Sequence, residues 1–204
     1  MDPPKIRLKP GKTIYKVMPD IYHPGPIKQG IAYLGVHPTV FPVEYPFKDE
    51  EDVLNYNPSE LIPESIEELT EKYEKEYQEM LRKLKGRAEP YNFYYTTLFM
   101  WPVMVFGWEL FLIPAVTHED RFDRLLERFF KLSLKCTKAL AHTSMKVVML
   151  HDDLTFKTGP VLAPEWYERH IFPRYPDIFK PLLNSGKKLI FCSDGKLDVF
   201  LERL

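Results

Sequence analysis

The sequence predicts an α/β protein with a parallel sheet, and three observations lead there. In the second half, short apolar runs alternate with longer segments of helical periodicity, the pattern of successive βα units. The strand candidates start near residues 92, 146 and 188, and the spacings of 54 and 42 residues leave room for a crossover each time. The runs KVVML and KKLIFC are apolar throughout rather than alternating, which predicts a sheet covered on both faces.

The elements follow in chain order. Eleven of the nineteen prolines lie in the first 63 residues, and Pro19, Pro24, Pro26, Pro38, Pro42 and Pro46 cut this region into short extended pieces and turns. Short strands such as GIAYLGV fit between them. DEEDVLNY reads as a brief helix with acidic residues at its start, where the helix dipole favours them. Residues 1–63 are taken as a proline-rich N-terminal segment and 64–204 as the βα units.

Ser65 and Glu68 form an S-x-x-E capping box, and Ile66, Leu69, Tyr73, Tyr77, Met80, Leu81 and Leu84 form one apolar stripe ending at Gly86. NFYYTTLF reads as a buried strand. Residues 98–116, LFMWPVMVFGWELFLIPAV, are nearly long enough to span a bilayer, but Pro102, Gly107, Glu109 and Pro114 interrupt them. Two short buried segments with a bend fit those breaks, and no membrane partner is expected. A helix opens near Thr117 and Asp120 and runs to about Ala141, with Cys136 on its inner stripe as a small core residue. Strand KVVML follows. Pro173 and Pro176 should split the helical region 164–184 in two. After Gly186 comes strand KKLIFC, then a last helix near Leu197.

Composition narrows the function. At 45% hydrophobic and 28% charged residues, the 204-residue chain is ordinary for a globular protein. A net charge of -1 with no long basic run argues against nucleic acid as a partner. The two cysteines, Cys136 and Cys192, do not form a secreted disulfide pattern, and MDPPKIRLKPGK lacks an apolar signal core. A cytoplasmic, reducing location is expected.

Two successive strands end in polar clusters: His151, Asp152 and Asp153, then Cys192, Ser193 and Asp194. Parallel α/β folds collect their sites at the carboxyl ends of strands. If these strands are neighbours, both clusters face one crevice. Adjacent strand residues point to opposite faces, so one of Asp152 and Asp153 acts on substrate and the other holds the loop. The pattern leaves open which. His23, His37, His118, His142 and His170 have no ligand spacing. Tyr91, Tyr94 and Tyr95 form an aromatic cluster suited to the core or to stacking on a flat ligand.

The segment HDDLTFKTGPVLAPEWYERHIFPRYPDIFKPLLNSGKKLIFCSDGK resembles the middle of the uroporphyrinogen decarboxylase and cobamide-dependent methyltransferase superfamily. The resemblance rests on Asp152-Asp153, Gly159-Pro160, Pro164, Trp166, Pro173-Arg174-Tyr175, Gly186-Lys187-Lys188 and Cys192-Ser193-Asp194-Gly195. Gly107-Trp108-Glu109 is similar to the family's G-x-E, and EEDVLNYNP to its early segment. It implies a TIM-type (β/α)₈ barrel of the uroporphyrinogen decarboxylase kind. At about 45 residues per unit the chain supplies four or five βα units, an incomplete barrel that reads as the N-terminal part of a longer protein or a split one.

The resemblance further implies methyl transfer between a corrinoid protein and tetrahydrofolate or a thiol. Asp152, Asp153 and Asp194 would be catalytic, and His151, Ser193, Glu109 and Tyr94 would bind substrate. Cys192 and Asp194 would be the zinc ligands of a thiol-methylating member, although Cys192 stands where that branch has His and Asp194 where it has Cys. Expected partners are a small-molecule substrate and a corrinoid protein, with a homodimer left open. A porphyrin-type decarboxylase is the first alternative, drawing its cations from Lys157, Arg169 and Arg174, but the family's early R-Q-A-G-R-Y element has no counterpart. A non-catalytic fragment or a subunit completed by a partner chain is the second.

Overall fold

The computed structural model describes residues 47–204 except 95, and before them the backbone of three strands. These are β1 (Tyr15–Met18), β2 (Lys28–Leu34) and β3 (His37–Glu44), paired antiparallel in the order β1-β2-β3. The expected strand GIAYLGV is found in β2. Pro38 and Pro42 both fall in β3, which is an edge strand and so tolerates residues without an N–H. The turns expected at Pro19, Pro24, Pro26 and Pro46 lie outside the described residues, as do MDPPKIRLKPGK, His23 and Tyr95.

The acidic start of DEEDVLNY works as expected. Helix α1 (Glu50–Asn55) is capped by Asp49, whose side chain accepts from the Asp52 amide at 3.0 Å. A 3₁₀ turn at Pro58–Leu61 follows. Val53, Leu54 and Leu61 are buried, and cations of a later helix bind this stretch: Arg128 donates to the carbonyls of Leu54 (2.6 Å) and Tyr56 (2.9 Å), and Lys135 to that of Ile62. Helix α2 (Ile66–Leu84) carries the complete capping box. Ser65 Oγ accepts from the Glu68 amide at 3.1 Å, and the Glu68 carboxylate accepts from the Ser65 amide at 2.8 Å.

Strand β4 (Asn92–Tyr94) is shorter than NFYYTTLF suggested. At the far end of that stretch the reason is long-range: the Asp152 carboxylate, 52 to 54 residues on, takes the amides of Leu98, Phe99 and Met100 and opens helix α3 (Met100–Thr117) there. Gly107 breaks α3 at φ 79°, ψ 169°, giving the two short buried segments with a bend that the prolines and glycine predicted. This is the one described helix long and apolar enough to cross a membrane, and 56% of the stretch is buried inside the protein. Helix α4 (Glu119–Ala141) lays Phe122, Leu125, Phe129, Leu132, Cys136 and Leu140 into the core, each at most 3% exposed.

The remaining elements are β5 (Val147–His151), the hairpin pair β6 (Thr155–Phe156) and β7 (Gly159–Pro160), α5 (Pro164–His170), α6 (Tyr175–Asn184), β8 (Lys188–Cys192) and a closing 3₁₀ turn at Asp198–Arg203. Helices α5 and α6 divide between His170 and Tyr175, where Pro173 and Pro176 predicted. The last element is 3₁₀ rather than α. The parallel sheet has the order β4-β5-β8, with Tyr94 beside Leu150 and His151 beside Cys192. The protein is thus of mixed helix and strand with a parallel sheet of successive βα units, and no closed barrel forms among the described residues.

Among the described residues the sheet's two faces differ in exposure. Val148 and Leu150 are buried under the helices, and Phe191 packs on Tyr175 and Phe179 of α6. On the other face Phe93 is 45% exposed and Ile190 42%.

Candidate functional site

Because β4, β5 and β8 are adjacent and parallel, their carboxyl ends stand together. The chain leaves β5 at His151 and β8 at Cys192 in register. Asp152 and Asp153 then go opposite ways, as period-two geometry requires.

Asp152 is the structural one. It has no exposed surface, and its oxygens accept from the amides of Leu98, Phe99 and Met100, each at 2.7 Å, and from the Tyr175 hydroxyl at 2.8 Å. A negative side chain thereby caps the amino end of α3 from outside the helix. Burial pushes its carboxyl up to about 6 against the pull of these donors, and burial beside Asp152 also raises the Tyr175 phenol. Asp152 therefore does not face a substrate, which corrects its assignment as catalytic.

Asp153 turns toward the opening. Its Oδ1 lies 3.0 Å from His151 Nε2 and accepts from the Asp194 amide at 2.7 Å. Burial pushes this carboxyl up, but the His151 ring and the Asp194 amide outweigh it and hold it below the usual range. The bond to Asp194 ties the two strand tips together. Three more contacts close the junction: the Leu154 amide to Ser193 Oγ (3.3 Å), Thr155 Oγ1 to the Asp194 carbonyl (3.3 Å), and the Lys196 amide to the Phe156 carbonyl (3.0 Å). Gly195, at φ +90°, makes this approach feasible, because a Cβ there would sit 2.3 Å from the Thr155 carbonyl oxygen.

Around this junction lies a cavity of ≈ 730 Å³. Asp153, Asp194 and Asp198 supply carboxylates, and Lys157 and Lys196 supply cations. Trp108 and Phe156 form an aromatic wall, with ring centres 5.2 Å apart and exposures of 37% and 50%.

Of the expected site residues, Asp153 and Asp194 reach this cavity, with His151 and Ser193 directly behind them. Tyr94 does not. Its ring is buried on the other face of the sheet and its hydroxyl reaches Ser133 Oγ at 3.3 Å, so it is a core residue. Glu109 is exposed and outside the cavity lining, and its neighbour Trp108 takes the position instead, because the break at Gly107 re-aims the second half of α3. Cys192 and Asp194 gather no third ligand: among the described residues no group of three His, Cys, Asp or Glu is placed to hold a metal ion. Trp108, Phe156 and Lys196 were missed. Trp108 lay inside the quoted G-W-E motif, and Lys196 directly after CSDG.

Arg169 and Arg174 are committed elsewhere. Arg174 pairs with Asp123 and Glu127 of α4, Arg169 pairs with Glu119, and His170 places one ring nitrogen 2.7 Å from Asp123 and the other 2.7 Å from Glu119. The cluster clamps α5 and α6 to α4.

No protein-family model and no curated protein matches the chain. Among solved structures, the fold is similar to a methyltransferase from Methanosarcina mazei, with a TM-score of 0.57 and 13% sequence identity. The match covers 82% of this chain and 46% of that one, so the chain spans about half the length of the structure it resembles. At this identity the likeness is one of fold.

Proposed function

We propose that the chain is a methyltransferase-like subunit of the TIM-barrel kind, acting in the cytoplasm on a small molecule and a corrinoid carrier protein. The second substrate would be tetrahydrofolate or a thiol. The observation that carries this reading is the meeting of two parallel strand tips at one cavity, where Asp153 and Asp194 face an aromatic wall. The fold likeness to a methyltransferase supports it.

The residues divide the work by environment. Asp153, held in its ionised form by His151 and the Asp194 amide, accepts a hydrogen bond from the substrate and orients it. Trp108 and Phe156 offer flat apolar surface to a ring. An acceptor nitrogen or thiol sheds its proton when it gains the methyl group and a donor nitrogen takes one when it gives the methyl up, and the exposed Asp194 is placed to pass that proton to or from solvent. The corrinoid would be carried by the partner protein. No step is routed through zinc.

The test is methyl transfer from methylcobalamin to tetrahydrofolate or a thiol, followed by the cobalamin spectrum. Asp153→Asn and Asp194→Asn are each expected to slow it about 10²-fold, the range of a lost acid–base group. Full rate in both variants would overturn the assignment. The decarboxylase reading is weaker, because Arg169 and Arg174 are paired away from the cavity, and among the described residues the cations that line it are Lys157 and Lys196.

A further inference from the structure

The hairpin that brings Phe156 and Lys157 to the cavity does not hold itself in place. Strands β6 and β7 are two residues each and, among the described residues, pair with one another alone. A two-stranded ribbon by itself is marginal in water. Its position is therefore set by contacts outside it, and these converge on Tyr167 of α5.

The Tyr167 side chain is fully buried and its ring packs on Phe99, Trp166, Phe172 and Phe200, with centres between 4.8 and 6.1 Å away. A phenylalanine would serve for that packing. The hydroxyl does something else: it donates to the Leu154 carbonyl at 2.7 Å and accepts from the amides of Val161 at 3.3 Å and Leu162 at 3.5 Å. One donor and two lone pairs are a hydroxyl's whole capacity, and here all of it goes to the base of the hairpin, to the residue before β6 and the two after β7. Leu154 also stands between Asp153 and Thr155, and its amide donates to Ser193 Oγ. Holding its carbonyl fixes how the chain leaves Asp153 and enters the hairpin.

We propose that Tyr167 is a positioning residue of the site: its hydroxyl, outside the cavity lining, sets the place of the Asp153 carboxylate and of the wall formed by Phe156 and Lys157. This role rests on the cavity being the site, as proposed above, and not on methyl transfer as its chemistry. Without the hydroxyl, the Leu154 carbonyl and the two amides lose a buried partner. The load then falls on the hairpin's junction with the β8 tip, where Thr155 Oγ1 donates to the Asp194 carbonyl and the Lys196 amide to the Phe156 carbonyl.

Tyr167→Phe in the 204-residue chain tests it, with Tyr77→Phe, at a buried tyrosine of α2, as the control. Trp108 reports on the wall: it packs on Phe156, whereas the other two tryptophans, Trp101 and Trp166, are each 4% exposed. Acrylamide quenching of tryptophan fluorescence should increase in Tyr167→Phe and keep its wild-type value in Tyr77→Phe. Hydrogen exchange at the Lys196 amide, which Tyr167 does not bond but the hairpin does, should quicken about ten-fold in Tyr167→Phe. The wild type supplies a measurement that needs no variant: the Val161, Leu162 and Lys196 amides should share one opening free energy. Methyl transfer from methylcobalamin should lose about ten-fold in kcat/KM in Tyr167→Phe. If the wild type transfers no methyl group, the proposed function fails, and quenching and exchange still decide the role of Tyr167. Wild-type quenching in Tyr167→Phe, equal changes in both variants, faster exchange confined to Val161 and Leu162, or unequal opening of the three amides in the wild type would each overturn the proposal.

Discussion

Replacing Asp152 by alanine removes the carboxylate that opens α3, and its cost follows from the contacts. Three buried amides, those of Leu98, Phe99 and Met100, lose their acceptor, and so does the Tyr175 hydroxyl. Each unsatisfied buried donor costs about 1–3 kcal/mol. Against this, the variant no longer buries a charge. A carboxyl raised from 3.8 to about 6 represents about 3 kcal/mol of unfavourable burial at neutral pH, at 1.36 kcal/mol per unit. The two effects oppose, and a net loss of about 4 kcal/mol remains for Asp152→Ala at pH 7.5.

The pH dependence has a definite sign. The folded carboxyl binds its proton more tightly than the unfolded one, so Asp152's contribution to stability is greatest below 3.8. It falls as pH rises toward 6 and is constant above. The gap between wild type and Asp152→Ala should therefore narrow from pH 4 to pH 7.5 by about 2 kcal/mol. Urea unfolding at the two pH values, read by circular dichroism, measures both quantities. A gap below about 1 kcal/mol at pH 7.5 would refute the capping role. A gap that widens with pH would mean that the amide donors, not burial, govern this carboxyl.

Three further outcomes follow from the same geometry. Gly195→Ala meets the Thr155 carbonyl at a positive φ, and urea unfolding should show a loss of about 2–4 kcal/mol, with the cavity deformed. Asp123 is pushed up by burial but held below its usual range by Arg174 and His170, and Glu119 is lowered by the hydrogen bond from His170 and then by Arg169. Their stabilisation is present at neutral pH and lost as pH falls through the lowered folded values, so Asp123→Asn should flatten the acid limb of a stability profile. Trp108→Ala should raise the KM of any flat substrate several-fold while leaving the unfolding midpoint within about 1 kcal/mol, since the ring stands at the cavity rather than in the core.

The local signals were legible wherever one residue pattern decided the outcome. Ser65 and Glu68 name a helix start because the capping box is complete within four residues, and Gly107 names a break because little else fits there. Parallel βα order left the adjacency of the two polar strand tips as a condition, which the pairing of His151 with Cys192 meets. What could not be read was set by partners distant in sequence. The pair Asp152-Asp153 fixes that one carboxyl turns inward, but which one depends on the register of β5 against its neighbours and on donors at Leu98–Met100. The same long-range contact takes the end of NFYYTTLF out of the sheet, since the Leu98 and Phe99 amides held by Asp152 cannot pair there. Tyr94 and Glu109 failed as site residues for a related reason: strand alternation and a helix break aim side chains, and both act through three-dimensional neighbours. Strands β5 and β8 have the uninterrupted apolar composition of a sheet buried on two sides, but composition does not say which element covers which face: the register of Val148 and Leu150 against Leu189 and Phe191 turns that row toward the helices, and only the fold reveals it.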